Sequence, residues 1–483
     1  MLKTRLIARI TFMDTELMGR IEAYVDEVWE DVVADISNLV SHPSIADSSA
    51  ATAGAPFGEH VRGALDCALS IAERLGYTVG EDEGYVGFAD VPGESEQQIA
   101  TIAHVDVVPA GPGWATDPFK MERREGWLLG RGVIDDKGPA VLSLYAGAFL
   151  LRENIKPRYT FRALLGCDEE VGMTDVHHYL EHHDHPLFLF TPDAEFPVCN
   201  AEKGCFGATF TTAPVSGGLI RSWSGAEATN AIPGESVIEL AIDAANLPAP
   251  VANADRLQVV SVEPGVSRIV AHGIGGHASL PEGTVNAIAL IVSYLRESGV
   301  LGDAAASALD LLAQIHLDTA GTGLGIATQS PAFGPLTCNA GTVRALDNGR
   351  IEQTIDVRFP DSIDANQLAQ RCGEVALRYG GAVETSRAKP PFSVDASSPQ
   401  VQTLIDIYNG VTGRNAKPFA MGGGTYARNF KSAVSFGPED NQLVLPDWAG
   451  TMHGPNEAAK ESLLREALKM YIMAILQLME LDY

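Results

Sequence analysis

The chain has 483 residues, of which 46% are hydrophobic and 20% are charged, an ordinary composition for a folded protein with two or more domains. Its formal net charge of −28 argues against a nucleic-acid-binding protein, which would present basic patches. No apolar stretch reaches the roughly 18 residues that a membrane helix needs, and the N-terminus lacks the apolar core of a signal peptide. We therefore expect a cytoplasmic protein. Residues 1–12 are a candidate disordered extension, with Met13 as an alternative start.

The first 200 residues alternate predicted helices with predicted strands. Apolar residues recur at helical spacing over 14–40, 58–75 and 138–153. The predicted strands, in chain order, are 85–88, 99–107, 159–165 and 187–190. This alternation is typical of an α/β domain, and the apolar run at 99–107 is typical of a buried strand in a parallel sheet.

The pattern changes after about residue 200. Short alternating runs over 205–270 indicate antiparallel strands, and helices are predicted over 284–315 and 364–379. Between these helices, the turn signal Asp347-Asn348-Gly349 predicts a hairpin over 339–359.

The α/β pattern resumes near residue 384, with a helix over 399–411, a strand over 432–436 and a helix from Asn456 to the end. Because polar residues of metal-binding type occur on both sides of the middle segment, we interpret that segment as an insertion. The predicted domains are a catalytic domain, formed by 1–200 and 384–483, and an inserted α+β domain over 201–383. The expected fold class is α/β, with a mixed sheet in the catalytic domain.

Two groups of polar side chains begin the series of candidate metal ligands. In His104-Val105-Asp106 the two polar side chains would lie on one face of a strand, so that His104 could bind a metal while Asp106 orients it. Taken alone, such a triplet is more often inert. The glycines before Asp135-Asp136 permit an unusual backbone, and one of these carboxylates could bridge two metals. A helix cap by either aspartate is the alternative.

The remaining candidates follow later strands. Glu169-Glu170 comes after the strand at 159–165, so that one carboxylate can bind a metal while the other acts as a general base toward water. A solvated acidic turn is the alternative for an isolated pair. Asp193 follows the strand at 187–190, where ligands of open α/β sheets gather, and His453 precedes the last helix. Two histidines and three carboxylates suffice for two zinc ions if one carboxylate bridges, and manganese or cobalt would suit the same ligands.

As a set, these motifs resemble the co-catalytic zinc peptidases of the aminoacylase/carnosinase superfamily, and within it the PepV-type dipeptidases. The resemblance covers nearly the whole chain after residue 14. The motifs that carry it are His104-x-Asp106, Gly-Arg-Gly-x-x-Asp135-Asp-Lys-Gly-Pro, Asp-Glu169-Glu170-x-Gly, Pro-Asp193-Ala-Glu-Phe-Pro, Gly422-Gly-Gly-Thr-Tyr426-Ala-Arg428 and Met-His453-Gly-Pro-Asn-Glu.

The resemblance implies a role for each motif residue in the catalytic domain. The implied metal ligands are His104 and Asp193 for one zinc, Glu170 and His453 for the other, and Asp135 as the bridge between them. Glu169 would be the general base that activates the bridging water, and Asp106 would support His104.

The resemblance also implies that the insertion is a lid domain that helps to bind the substrate. His277 resembles the lid histidine that stabilises the tetrahedral oxyanion, although His272 competes for that role. Arg358 resembles the arginine that binds the substrate's C-terminal carboxylate through its planar fork. The ordinary alternatives are a loop histidine and a strand-surface ion pair. The other implied substrate-binding residues are Asn230, Gly423, Gly424 and Thr425.

Together, the residues and the resemblance predict a zinc-dependent dipeptidase that hydrolyses short unblocked peptides, with β-Ala-His among the candidate substrates. The rival enzyme is an N-acyl-amino-acid amidohydrolase that uses the same two zinc ions, and the rival from another class is a non-catalytic binding protein on the same scaffold. The expected partner is a small peptide, with no nucleic acid or membrane. Because the insertion of about 180 residues is long enough to supply its own lid histidine, we expect a monomer.

Five histidines cluster outside these motifs, at 177, 178, 182, 183 and 185. We interpret this cluster as a solvated helix and turn, with adventitious metal binding as the alternative.

Overall fold

The computed structural model describes residues 15–440 and 442–483, so the predicted extension at 1–12 and the alternative start at Met13 lie outside the described residues. The chain folds into two compact units. The first contains the described residues up to Asn200, together with Ser393–Phe419 and Gly424–Tyr483, and the second contains Ala201–Phe392 and Ala420–Gly423. Within the described residues, no helix is both long and apolar enough to cross a membrane.

The helices and strands have the following bounds. The α-helices are α1 (Thr15–Val40), α2 (Glu59–Leu75), α3 (Lys137–Arg152), α4 (Thr174–His182), α5 (Ala287–Ser298), α6 (Ala306–Ile315), α7 (Ala365–Arg378), α8 (Pro399–Thr412) and α9 (Glu461–Leu478). The strands up to residue 211 are β1 (Thr78–Asp82), β2 (Val86–Val91), β3 (Ser95–His104), β4 (Glu122–Arg124), β5 (Trp127–Leu129), β6 (Tyr159–Gly166), β7 (Phe188–Thr191), β8 (Cys199–Glu202) and β9 (Gly204–Thr211). The later strands are β10 (Ile220–Ser224), β11 (Ala231–Ile232), β12 (Glu235–Leu240), β13 (Leu257–Glu263), β14 (Val266–His272), β15 (Gly276–His277), β16 (Gln329–Ser330), β17 (Gly334–Pro335), β18 (Thr337–Ala345), β19 (Ile351–Phe359), β20 (Ala382–Lys389), β21 (Phe392–Ser393), β22 (Phe419–Met421), β23 (Ala433–Ser435) and β24 (Ala458–Lys460).

The first unit is built on a mixed sheet of nine strands, which begins in the order β1-β2-β6-β3-β7-β23 and continues with β8 and β21, while β22 also pairs with β8. The pairs β1–β2 and β2–β6 are antiparallel, whereas β6, β3, β7 and β23 are parallel to one another. Ile99 on β3, Phe161 on β6 and Phe188 on β7 are fully buried in one apolar core, against which α1, α3 and α9 pack. The predicted α/β class with a mixed sheet is confirmed. Because the central strands are parallel, their carboxyl ends lie side by side at one edge of the sheet.

The second unit contains two four-stranded antiparallel sheets, in the orders β18-β19-β9-β20 and β10-β12-β14-β13. Its apolar core includes Phe206 and Ile355 from the first sheet, Ile269 from the second, and Leu295 and Leu312 from helices α5 and α6. The predicted hairpin is confirmed, since β18 and β19 pair antiparallel on either side of the turn. Strand β20 belongs to the first of these sheets, which is why the chain leaves the second unit at Phe392 and not at residue 383.

Three predicted element boundaries are wrong. The helix predicted over 284–315 is two helices, because Gly299 ends α5 with a left-handed φ of 62°. The strand predicted over 99–107 ends at His104. The helix predicted from Asn456 begins only at Glu461, because the chain first forms β24, which pairs with β5.

Candidate metal centre and active site

Three of the candidate site residues of the first unit lie at the carboxyl ends of its parallel strands. His104 is the last residue of β3, Glu169 comes three residues after the end of β6, and Asp193 comes two residues after the end of β7. The last residues of each strand before that point are buried and mostly apolar, so polar side chains gather where the backbone leaves the sheet. The register of the sheet, which places His104 opposite Gly166, therefore brings distant parts of the sequence together.

Asp135 lies between the two candidate histidines. His104 Nε2 is 3.1 Å from Asp135 Oδ1 and 3.8 Å from Asp193 Oδ2. His453 Nε2 is 2.8 Å from Asp135 Oδ2 and 3.2 Å from Glu170 Oε2. One oxygen of Asp135 thus faces each imidazole, which is the arrangement that a bridging carboxylate requires.

The donor atoms are spaced as ligands of shared cations would be. The potential ligand atoms of His104, Glu169 and Asp193 lie within 4.8 Å of one another, as do those of His104, Asp135 and Glu170. Around a tetrahedral zinc with bonds of about 2.0–2.2 Å, neighbouring ligand atoms are roughly 3.3–3.6 Å apart. The distances of 2.8 to 3.8 Å among these side chains bracket that range. Glu170 Oε1 is also buried without a hydrogen-bond partner among the described residues. The residues present therefore fit divalent metal ions.

The electrostatics of the cluster also favour a cation. Burial and the neighbouring Asp135 and Glu170 carboxylates raise the pKa of Asp193 to about 7, although His104 opposes the shift. Burial and the Asp193 carboxylate raise the pKa of Glu169 well above its ordinary value. Hydrogen bonds to Asp135 and Glu170 raise the pKa of His453 to about 11. Bound cations would offset the repulsion among these carboxylates and hold them ionised.

Asp106 contacts both His104 and the paired glutamates. His104 Nδ1 lies 2.9 Å from the backbone oxygen of Asp106 and 3.4 Å from its carboxylate, so the predicted support of His104 stays a prediction that these contacts allow. The two carboxylate oxygens also accept hydrogen bonds from the backbone N–H groups of Glu169 and Glu170, each at 3.2 Å. Asp106 therefore holds the peptide backbone of the paired glutamates.

Removing the Asp106 carboxylate should displace both glutamates at once. We expect Asp106→Ala to lower both kcat and metal affinity, each by about 10–100-fold, the usual effect of losing a group that supports metal ligands. Turnover and metal content of the purified variant measure the two effects. Metal content and kcat both within twofold of wild type would contradict this supporting role.

Asp136 is a separate structural residue beside the bridge. Its Oδ2 accepts a hydrogen bond of 3.1 Å from the backbone N–H of His104, and the side chain is fully buried. Asp136 occupies the N-cap position of α3 but makes no side-chain capping hydrogen bond. The alternative that Asp136 caps the helix with its side chain is therefore wrong. The neighbouring Asp135 faces His104 and His453.

A buried ion pair that sequence reasoning missed joins the loops of Asp135 and His453. Arg131 pairs with Glu457 and donates to the backbone oxygens of His453 and Gly454, at 3.2 and 3.3 Å. Glu457 also accepts from the N–H groups of Gly132 and Ile134, at 3.0 and 3.2 Å. His453 itself has a left-handed φ of 60°, which non-glycine residues rarely adopt. Arg131 and Glu457 both lie within the motifs around Asp135 and His453. This position was the only feature of the sequence that pointed to a role for them.

Two further acidic residues near the cluster were also missed. Asp175 on α4 accepts hydrogen bonds from the backbone N–H groups of Cys167 and Asp168 and from the Tyr426 hydroxyl, and so holds the start of the Glu169 segment. Burial and the Asp193 carboxylate raise the pKa of Glu439 well above its ordinary value. Neither residue follows a recognisable motif, so the sequence carried no signal for them.

In the second unit, the structure brings Asn230 and His277 together. Ala231 on β11 pairs with His277 on β15, and Asn230 Nδ2 is 3.5 Å from His277 Nε2. The backbone N–H of Ser279 donates to His277 Nδ1 at 3.2 Å, and the Ser279 hydroxyl lies 2.6 Å from the same ring nitrogen. The competing His272 lies at the exposed end of β14, with Nδ1 3.4 Å from Glu235.

Arg358 is buried at the end of β19 with several of its donors already engaged. Its Nε and Nη2 donate to Asp356 at 2.6 and 3.3 Å, and its Nη1 donates to the Gly422 oxygen at 2.9 Å. The half-exposed Arg387 also donates to Asp356, at 2.6 Å. The carboxylate of Asp356 therefore fixes the guanidinium plane, and the contact with Gly422 places Arg358 next to Gly423.

Gly424 and Thr425 belong to the first unit. The Thr425 side chain caps the short 3-10 helix Tyr426–Asn429 by accepting from the Ala427 N–H at 3.2 Å, and its hydroxyl is 3.1 Å from that of Ser435. Its role as a substrate donor stays a prediction.

A mixed α/β sheet whose parallel strands end in a cluster of histidines and carboxylates, spaced to hold metal ions, is the kind of site at which metal-dependent hydrolases activate water. Residues 100–477 match the family model described as "Peptidase family M20/M25/M40", and the chain belongs to this family. The predicted superfamily of metallopeptidases, and with it an enzyme that hydrolyses peptide bonds, is confirmed.

Two relatives from bacteria match nearly the whole chain. The "Putative dipeptidase YtjP" of Bacillus subtilis is 31% identical over 461 residues, which cover 93% of this chain and 97% of that protein. The "Beta-Ala-Xaa dipeptidase" of Lactobacillus delbrueckii subsp. lactis is 32% identical over 470 residues, which cover 92% and 96%. Among solved structures, human carnosine dipeptidase 1 shares the fold with a TM-score of 0.57 at 15% identity, covering 96% of this chain and 99% of that one.

Proposed function

We propose that the protein is a metal-dependent dipeptidase that hydrolyses the single peptide bond of short peptides with free ends. The observation that carries the proposal is the placement of Asp135 between His104 and His453, with Glu169 beside the same cluster. The relatives at 31% and 32% identity are both described as dipeptidases, one of them for Beta-Ala-Xaa substrates, which supports this activity over deacylation.

Two zinc ions are the proposed cofactors, with manganese or cobalt as substitutes. The proposed ligands are His104 and Asp193 for one ion, Glu170 and His453 for the other, and Asp135 for both. When bound, zinc would polarise the scissile carbonyl and lower the pKa of a water molecule. Glu169, which is left out of this ligand set, would take the proton of the attacking water and return it to the departing amine.

The chain's other residues would orient the reactants. Asp106 would keep the Glu169-Glu170 backbone in place. His277 would donate a hydrogen bond to the oxyanion that develops during attack, with Asn230 beside it. Arg358, together with donors from Gly423, Gly424 and Thr425, would bind the substrate's C-terminal carboxylate. A site that holds both ends of the substrate would limit its length to two residues.

The proposal also covers the working state of the protein, which we take to be a cytoplasmic monomer. The six cysteines are all free, as suits a reducing compartment. The inserted segment is long enough to supply its own lid histidine without a second subunit.

A hydrolysis screen tests the proposed function. The protein is loaded separately with zinc, manganese or cobalt and incubated with a dipeptide panel that includes β-Ala-His, alongside the matching N-acetyl amino acids. We expect amino acids to be released from the dipeptides. Release from the N-acyl compounds should be at least tenfold slower. Faster release from the N-acyl compounds would favour the amidohydrolase, and no release with any metal would favour a binding protein.

A further inference from the structure

A second group of potential metal ligands lies in the first unit, outside the proposed active site. His178 and His182 are one turn apart on α4, and their rings lie edge to face with centroids 4.7 Å apart. Both face Asp82, the last residue of β1: His182 Nδ1 is 3.0 Å from Asp82 Oδ2, and His178 Nε2 is 3.8 Å from Asp82 Oδ1. The potential ligand atoms of the three residues lie within 4.8 Å of one another.

The chemistry of this group is that of a transition-metal site. Histidines at i and i+4 on a helix present two imidazole nitrogens to one point, and a carboxylate adds an oxygen donor. His178 Nε2 is buried and has no hydrogen-bond partner among the described residues, while Asp82 and Glu83 lie 3.8 and 3.7 Å away. If His178 Nε2 carries a lone pair, that lone pair faces the two carboxylates of Asp82 and Glu83. This arrangement is unfavourable unless a proton or a metal ion lies between the nitrogen and the carboxylates.

We propose that Asp82, His178 and His182 bind a zinc ion, with Glu83 available as the fourth ligand. The neighbouring side chains fix the geometry of the site: His178 stacks on Tyr85 with ring centroids 3.9 Å apart, so its orientation is set by packing before any metal binds. Two nitrogen donors and carboxylate oxygens select zinc or a similar transition metal over magnesium or calcium, which prefer oxygen ligands.

Zinc at this position would link the end of β1 to helix α4, because its ligands come from both elements. Helix α4 follows directly after the Glu169-Glu170 segment, and its Asp175 holds the backbone at Cys167 and Asp168. The site is therefore structural, and it stabilises the helix that supports the segment carrying the general base. The proposal does not depend on dipeptidase activity.

Metal counting on matched variants tests the site. His182→Gln removes an exposed ligand with little loss of packing, whereas His177→Gln changes an exposed histidine on the same helix that is not among the proposed ligands. Full-length protein is dialysed against zinc and its metal content measured by mass spectrometry. We expect His182→Gln to bind one zinc fewer per chain than wild type, and His177→Gln to bind the same number as wild type.

The proposal is tested by the difference in zinc content between wild type and His182→Gln, and not by the total zinc content of either protein. This difference stays at one whether the active site binds two ions, one or none, so failure of the proposed function would not be mistaken for failure of this site. We also expect saturating zinc to raise the thermal unfolding midpoint of wild type more than that of His182→Gln. Equal zinc counts in wild type and His182→Gln, or the same loss in His177→Gln, would overturn the proposal.

Discussion

Replacing Glu169 with glutamine should abolish most turnover and leave the metal content unchanged. Glutamine keeps the size of the side chain but cannot accept the proton of the attacking water. General base catalysis contributes about 10²–10⁴-fold, so we expect kcat to fall by that factor. Dipeptide hydrolysis under saturating substrate and metal analysis of the same sample measure the two quantities.

Glu170→Gln is the matched control because the adjacent carboxylate has the other proposed role. Its Oε2 lies 3.2 Å from His453, and it is a proposed ligand, so this variant should lose metal as well as activity. Glu169 and Glu170 both lie in candidate metal-binding groups with His104, which makes the comparison necessary. Loss of metal from Glu169→Gln, or kcat within a few-fold of wild type, would refute Glu169 as the base.

The second large effect is expected at Arg358. Arg358→Ala should raise KM for dipeptides by roughly 10–150-fold, the range that corresponds to losing a charge-assisted hydrogen bond of about 1.5–3 kcal/mol. The KM for the matching C-terminal amides should change by less than threefold, because an amide offers no carboxylate to the guanidinium. Steady-state kinetics on both substrate series measure the difference.

Arg387→Ala provides the control for the structural part of this substitution. Arg387 also donates to Asp356, but its side chain is 41% exposed, and it is not a proposed substrate ligand. In Arg358→Ala the buried Asp356 keeps Arg387 as a partner, which limits the damage to the fold. Equal effects on dipeptides and amides, or the same selective loss in Arg387→Ala, would remove Arg358 from substrate recognition.

The strand-end positions of the candidate ligands could be predicted because they depend on local patterns. An apolar run that ends in a polar side chain marks the end of a buried strand, and parallel strands bring their ends together. His104 and Asp193 follow this rule, and the structure places their side chains 3.8 Å apart. The hairpin at β18–β19 was predictable for a similar reason, since its turn residues carry their own conformational preference.

Contacts between distant residues could not be predicted from such patterns. The pairing of Arg131 with Glu457 joins residues that are 326 positions apart, and the contact of Asp106 with the Glu169 backbone spans 63. A side chain's type does not reveal whether it will bind a metal or hold the backbone of another residue. For this reason the sequence suggested only that Asp106 orients His104, and it did not reveal that the same carboxylate also accepts hydrogen bonds from two backbone N–H groups.

The cluster of histidines illustrates the same limit. Read along the sequence, five closely spaced histidines indicate only a polar helix and turn. In the fold, Asp82 from β1, almost 100 residues away in the sequence, lies within 4 Å of three of them, and with two of these it forms a set of three converging donors.

The central claim is that five side chains of the first unit hold two metal ions, and anomalous diffraction from crystals of the zinc-loaded protein tests it most directly. At the zinc absorption edge we expect two strong peaks in this cluster, one contacted by His104 and Asp193 and the other by Glu170 and His453, with Asp135 contacting both. No peak, or a single peak that Asp135 does not contact, would contradict the claim.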